Sequence, residues 1–252
     1  MFRLKNDNSL PVITAQKHIK SCRKTADEMN LPKTAILFFM HGGVEYLTEN
    51  YNCEIITEKF PRFLNSCPIY KAVDYDFCFL HGGHGAPQAV DTLETLNALG
   101  VEQVVNVGMF GAFDENVECS DIIIPSKAYV EEGTSLHYYE DILFSSPDEA
   151  LHKKALELLK GKDCPIVSTD AVYRQTFLKE DEWRTMGAVG VDMETSALFS
   201  VGKYLGLKVV SVLVASDKHP QSPNESDWKW HMPKSARIDF FEKTISFATN
   251  II

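Results

Sequence analysis

The sequence predicts an α/β fold: a single domain whose mostly parallel central sheet is flanked by helices on both faces. Three observations carry this. Short apolar, β-branched runs lack polar alternation, as strands covered on both faces do. Segments with helical periodicity separate those runs, which is the pattern of parallel crossovers. Several runs also end in glycine turns, where open α/β sheets receive ligands.

The elements follow in order. Residues 1–33 form a polar N-terminal arm, and 34–252 form the domain. "TAILFF" (34–39) reads as a buried strand ending in "MHGG", and "VEYLTENY" begins a helix. "FCFL" (77–80) is a second strand, and the glycine turn after it leads into a helix. Its apolar positions are Ala89, Leu93 and Leu96; Pro87 suits its first turn and Gly100 closes it. "VEQVVNVG" (101–108) and "DIIIPSKAYV" (121–130) are further strands. "SPDEALHKKALELLKG" is a helix with Ser146 and Glu149 in capping-box spacing and Gly161 as its stop. "CPIVSTD" is a short strand, "KEDEWRTMG" a short helix and "METSALFSVGKYLG" a longer one. "LKVVSVLVASD" (207–217) is the longest β-branched run. A polar loop (219–233) and a helix to about Asn250 close the chain.

A net charge of −10 argues against a nucleic-acid partner, which needs a basic face. Six scattered cysteines without C-x-x-C spacing read as reduced thiols, so a cytoplasmic protein is expected. The polar start "MFRLKNDNSLP" does not read as a signal peptide, and no run approaches the roughly 18 apolar residues of a membrane span. "GGHGAP" lacks dinucleotide-site spacing, there is no G-x-S-x-G, and the histidines are too dispersed for a metal site.

Candidate chemistry falls at strand ends: "HGGHGAPQ", "NVGMFGAF", "STDAVYRQT", "VASDKHP" and "GVDMETSALF". The carboxylates of the last are also the type that complements a helix N-terminus and nothing more. Taken together, "GHGAPQ", "VGMFGA", "GVDMETSALF" and "VASD", in this order, resemble the nucleoside phosphorylase family. That family includes uridine phosphorylase, hexameric purine nucleoside phosphorylase and the methylthioadenosine nucleosidases.

The resemblance implies cleavage of an N-glycosidic bond in a purine or uridine-type nucleoside. It implies Glu194 as the carboxylate gripping the ribose hydroxyls, with Met193 packing on the sugar and Asp192 in place of a longer family Glu. Asp217 matches the acid that serves N7 of a leaving purine, which requires a raised pKa. Tyr173 matches a base-pocket aromatic, and Arg174 and Gln175 lie near residues that read a pyrimidine. Gly108, Met109 and Phe110 floor the pocket, and His137 in "EEGTSLHYY" is a contact at its entrance. "WKWH" (228–231) reads either as a lid or as a support for the last helix.

The anion site departs from the pattern. Gly43 and Asn106 stand where phosphate-binding arginines belong, and Met109 where a Ser or Thr does. Backbone N–H groups at Gly83 and Gly85, and Arg62 acting from a neighbouring subunit, are the remaining anion donors; Glu45 is a candidate to orient water. Phosphate as co-substrate, hydrolysis by water, and a catalytically silent nucleoside-binding protein therefore stay open. The resemblance implies no cofactor or metal, no membrane or nucleic-acid partner, and a homo-oligomer: a dimer or trimer of dimers.

Overall fold

The computed structural model describes residues 9–22, 29–225, 228, 230 and 232–251. Its strands are β1 (Thr34–Phe38), β2 (Cys53–Thr57), β3 (Ile69–Ala72), β4 (Phe77–His81), β5 (Gln103–Ala112), β6 (Ile122–Glu131), β7 (Phe144–Ser145), β8 (Lys162–Thr169), β9 (Gly190–Asp192) and β10 (Lys208–Lys218). Its helices are α1 (Ala15–Ser21), α2 (Gly43–Asn50), α3 (Gly85–Ala98), α4 (Glu149–Leu159), α5 (Phe177–Thr185), α6 (Thr195–Leu205) and α7 (Lys234–Thr249).

The sheet runs β10-β6-β8-β9-β5-β1-β4-β3-β2, and β10 also pairs with β5, so one half closes on itself while the other stays open. The long ladders are parallel: β1 with β4 and β5, β5 with β10, and β6 with β8. Antiparallel pairing is confined to short ladders, including the β2–β3 pair. Side-chain alternation explains the two covered faces. Ala35 and Leu37 enter the core shared by α1, α3 and α6, whereas Ile36 and Phe38 enter the core of α2, α4 and α7. A third cluster, Phe113, Tyr129, Val167, Trp183 and Val191, seats α5 over the closed half.

The expected strands and helices are present, with local corrections. The segment read as a polar arm contains α1, whose Ile19 is buried and which packs against α3. β2 and β3 were not expected, because their half-exposed residues carry little apolar patterning. Asp148, rather than Ser146, caps α4: its side chain accepts from Leu151 N. The helix ends on Lys160 in the left-handed region, one residue before Gly161.

One irregularity positions a functional side chain. In the β5–β10 ladder Ala215 stands opposite Phe110 and Asp217 opposite Gly111, leaving Ser216 as an extra residue. Such a bulge breaks the two-residue alternation and re-aims the side chains beyond it. Without it, Asp217 would share the face of Ala215, which packs in the α1/α3/α6 core.

Candidate active site

A cavity of about 630 Å³ opens at the C-terminal ends of the central strands. It is lined from β5 by Met109 and Phe110, from the β9–α6 junction by Met193 and Glu194, and from β10 by Asp217 and, one residue past its end, by His219. The two carboxylates singled out from the sequence thus face one space.

Glu194 sits at the N-cap of α6 without capping it. Its Oε1 instead accepts from Gly85 N at 2.6 Å. Gly85 has φ +77°, a conformation that a side chain would strain. Burial and then the neighbouring Asp192 charge raise the Glu194 pKa.

Asp192 does the capping. Its Oδ2 accepts from Thr195 N at 3.1 Å and from Thr195 Oγ1 at 2.5 Å, and Ser168 Oγ donates to Oδ1 at 2.5 Å. The network continues to Asn106, whose Nδ2 donates to Ser211 Oγ at 2.8 Å and to Thr195 Oγ1 at 3.3 Å. Asp192 reaches the cavity wall, but its hydrogen bonds make it a support for Glu194.

Asp217 is nearly buried, and three groups approach it. Ser216 Oγ donates to Oδ1 at 2.5 Å and Trp228 Nε1 donates to Oδ2 at 2.5 Å. His219 Nε2 lies 3.3 Å from Oδ2, and His219 Nδ1 lies 2.7 Å from Glu180 Oε1. Burial alone would raise the Asp217 pKa, but the hydrogen bonds of His219, Ser216 and Trp228, with the histidine's charge, hold it below the ordinary value. This reverses the raised pKa required above. His219 shows the converse: burial disfavours its cation, yet Asp217 and Glu180 together raise it to about 9. Gly111 leaves room for the imidazole, since a Cβ there would collide with Nε2.

The other expected residues divide. Tyr173 and Gln175 line the cavity mouth, with Tyr173 95% exposed; Arg174 is on the same turn but outside the lining. Gly108 lies within β5 beneath the lining residues. Asn106 is buried in the network below the cavity and is not among the described residues that line it. Arg62 is 5% exposed; it donates to Asn65 O, to His81 O at 2.8 Å and to Thr92 Oγ1 at 2.8 Å, so it is committed internally and not offered to a neighbour. Gly85 N is taken by Glu194, and Gly83 is outside the lining, its backbone at φ +113° packed over Gln88. Glu45 lies outside the lining and pairs with His81, Nε2 to Oε1 at 3.6 Å. His137 belongs to a separate groove with Ile13, His18, Phe63 and Tyr138. Of "WKWH", Trp228 and Trp230 line the cavity, and Lys229 and His231 lie outside the described residues.

Glu180 and His219 were not foreseen, and Trp228 entered only through the lid alternative for "WKWH". The alternation in "DKH" places His219 on the side of Asp217, a signal the sequence did contain. A buried Glu in the first turn of an otherwise charged helix carries no such signal. Among the described lining residues none is Lys or Arg.

An α/β scaffold that brings two carboxylates to one strand-end cavity defines a small-molecule site. A family model described as the phosphorylase superfamily matches residues 33–238, and the chain belongs to that superfamily, the nucleoside phosphorylase family whose motifs it carries. A guanosine phosphorylase of Halorubrum lacusprofundi is 26% identical over 190 residues, covering 73% of this chain and 77% of that protein. A DeoD-type purine nucleoside phosphorylase of Clostridium novyi is 26% identical over 142 residues, covering 54% of this chain and 61% of that protein. The solved uridine phosphorylase of Vibrio fischeri shares the fold at TM-score 0.66 and 22% identity, covering 88% of this chain and 89% of the other.

Proposed function

We propose that this protein cleaves the N-glycosidic bond of a purine nucleoside. The observation that carries the reading is the placement of Glu194 and Asp217 on one cavity. A ribose gripped at Glu194 develops positive charge as the bond breaks, and the ionised form of Glu194, whose pKa is raised to about 8, stabilises that charge. Asp217 with His219 faces the departing base, where a purine needs a proton or hydrogen bond at N7. Met193, Phe110 and Trp228 supply apolar walls for sugar and base. The guanosine and purine relatives support a purine over a pyrimidine, as does Arg174 lying outside the lining.

The family default is phosphorolysis. A second reading, hydrolysis by water, is favoured by a shortage of anion donors: among the described lining residues none is Lys or Arg, and Gly85 N is already spent on Glu194. Phosphate ordinarily relies on such donors. Turnover of inosine, guanosine, adenosine and uridine, each with and without phosphate, tests both points. Purine cleavage is expected; uridine cleavage alone would refute the purine assignment, and an absolute phosphate requirement would refute hydrolysis. A homo-oligomer is part of the reading, supported by exposed Phe63, Leu64 and Ile13 beside the groove of His137, and light scattering tests it.

A further inference from the structure

The arrangement around Asp217 poses a problem that the proposed reaction must solve. An acid serving a leaving base has to hold a proton, yet Asp217 accepts from Ser216 and Trp228 and faces His219, all of which favour the carboxylate. The proton has to be kept elsewhere.

His219 is placed to keep it. Its two ring nitrogens each meet a carboxylate, Asp217 at 3.3 Å and Glu180 at 2.7 Å, so both are best satisfied as N–H donors. Side-chain exposure of 14% for His219 and 7% for each carboxylate limits competition from water. The neighbouring cations have closer carboxylate partners of their own, Arg184 Nη1 lying 2.5 Å from Asp181 Oδ1. Arg184 Nη2 lies 3.7 Å from the other oxygen of Glu180, and Lys218 is drawn to Glu118 Oε1 at 2.5 Å. The Cys119 thiol near Asp217 is held neutral, its pKa raised by burial and then by that carboxylate.

We infer that His219 is the proton reservoir for the leaving base, held charged by Glu180 and discharging through Asp217. The inference rests on the purine reading above. As the glycosidic bond breaks, its electron pair passes to the purine, and C1′ bonds to the phosphate or water oxygen of the proposed reaction, an attacking water losing its proton to solvent. The Nε2–H proton of His219 moves to Asp217 Oδ2, and the Asp217 carboxyl delivers a proton to N7. Asp217 is again a carboxylate, the base leaves neutral, and His219 is left neutral with Nδ1–H still donating to Glu180. Solvent then restores its proton. His219 is thus a positioning and proton-supplying residue acting through Asp217, and Glu180 fixes its tautomer and charge.

The test compares inosine with N7-methylinosine, whose base already carries a positive charge and leaves without a proton. His219→Gln should lower kcat on inosine by about 10²-fold or more, and leave the methylated nucleoside within a few-fold. It should also abolish the alkaline limb of the wild-type pH profile. Glu180→Gln should move that limb to lower pH. Equal losses on the two nucleosides, or no loss on inosine, would overturn the assignment while leaving the purine reading intact. A wild-type protein that cleaves neither nucleoside would overturn both. Nitrogen-detected NMR of the wild-type protein gives an answer independent of any variant. His219 should titrate near 9, and a ring neutral at pH 7 would overturn the proposal.

Discussion

The amide of Gly85 lies 2.6 Å from Glu194 Oε1, so the glycine turn after β4 receives the protein's own carboxylate. The contact joins the N-terminus of α3 to that of α6 and aims Glu194 at the cavity. Glu194→Gln keeps an acceptor for Gly85 and removes an acid whose pKa is raised to about 8, so the carboxylate can no longer form. A loss of about 10²–10³-fold in kcat is expected from losing electrostatic stabilisation of the sugar cation. The same change should raise the melting temperature at pH 7. The native Glu194 pKa is raised, so the folded state holds its proton more tightly and loses stability as pH climbs past the unfolded value. Steady-state kinetics and calorimetry check the two halves, and a variant that loses activity together with stability would contradict the role.

Asp217→Asn keeps the shape of the group facing the base and removes its capacity to relay a proton. Affinity for a purine nucleoside should be spared while kcat falls about 10²-fold or more. Binding by calorimetry beside single-turnover rates separates the two effects. Parallel losses of affinity and rate would assign Asp217 to holding the base.

How far the sequence could be read depends on what determines each feature. The strands β1, β4, β5 and β10 were legible because apolar residues dominate them, and α3 because its apolar spacing, Pro87 and Gly100 agree. β2 and β3 escaped because they are short and their burial follows no two-residue alternation. Glu194 and Asp217 were singled out through motif resemblance, and both line the same cavity. The roles of Asn106 and Arg62 were not, because a polar residue aligned with a ligand position says nothing about where its hydrogen bonds go. Asn106 turned inward to Ser211 and Thr195, and Arg62 to the His81 carbonyl. The Glu180–His219–Asp217 arrangement depends on α5 packing over the closed half of the sheet through Trp183, a long-range contact that local patterning cannot show.

Asp192 tests the support beneath the site. Asp192→Ala leaves Ser168 Oγ, Thr195 Oγ1 and the buried Thr195 amide without their acceptor. Each buried donor left unpaired costs about 1–3 kcal/mol, so destabilisation of at least that size is expected in chemical denaturation. Asp192→Asn, nearly isosteric, should do less harm and should lower the Glu194 pKa, because it removes a neighbouring negative charge that raises it. An acid limb of the rate profile that stays in place in Asp192→Asn would show that the two carboxylates are not coupled.

Stability against pH provides a measurement that needs no substrate. The folded-state pKa of His219 is raised to about 9, against an unfolded value of about 6.5. The folded state therefore binds the proton more tightly. The stabilisation is fully present below the unfolded pKa and is lost as pH rises toward the folded one. Asp217 has the opposite sign: its pKa is lowered, so its contribution is present above about 3.9 and lost in acid. Between roughly pH 6.5 and 9, where the Asp217 contribution is constant, the wild-type melting temperature should fall as His219 loses its advantage. Glu194 adds a decline of the same sign that begins at lower pH, so a slope alone does not identify the histidine. The comparison with His219→Gln does: that variant should keep the Glu194 decline and lose the alkaline part. Superimposable slopes above pH 7 would mean that His219 is not a buried cation between Glu180 and Asp217.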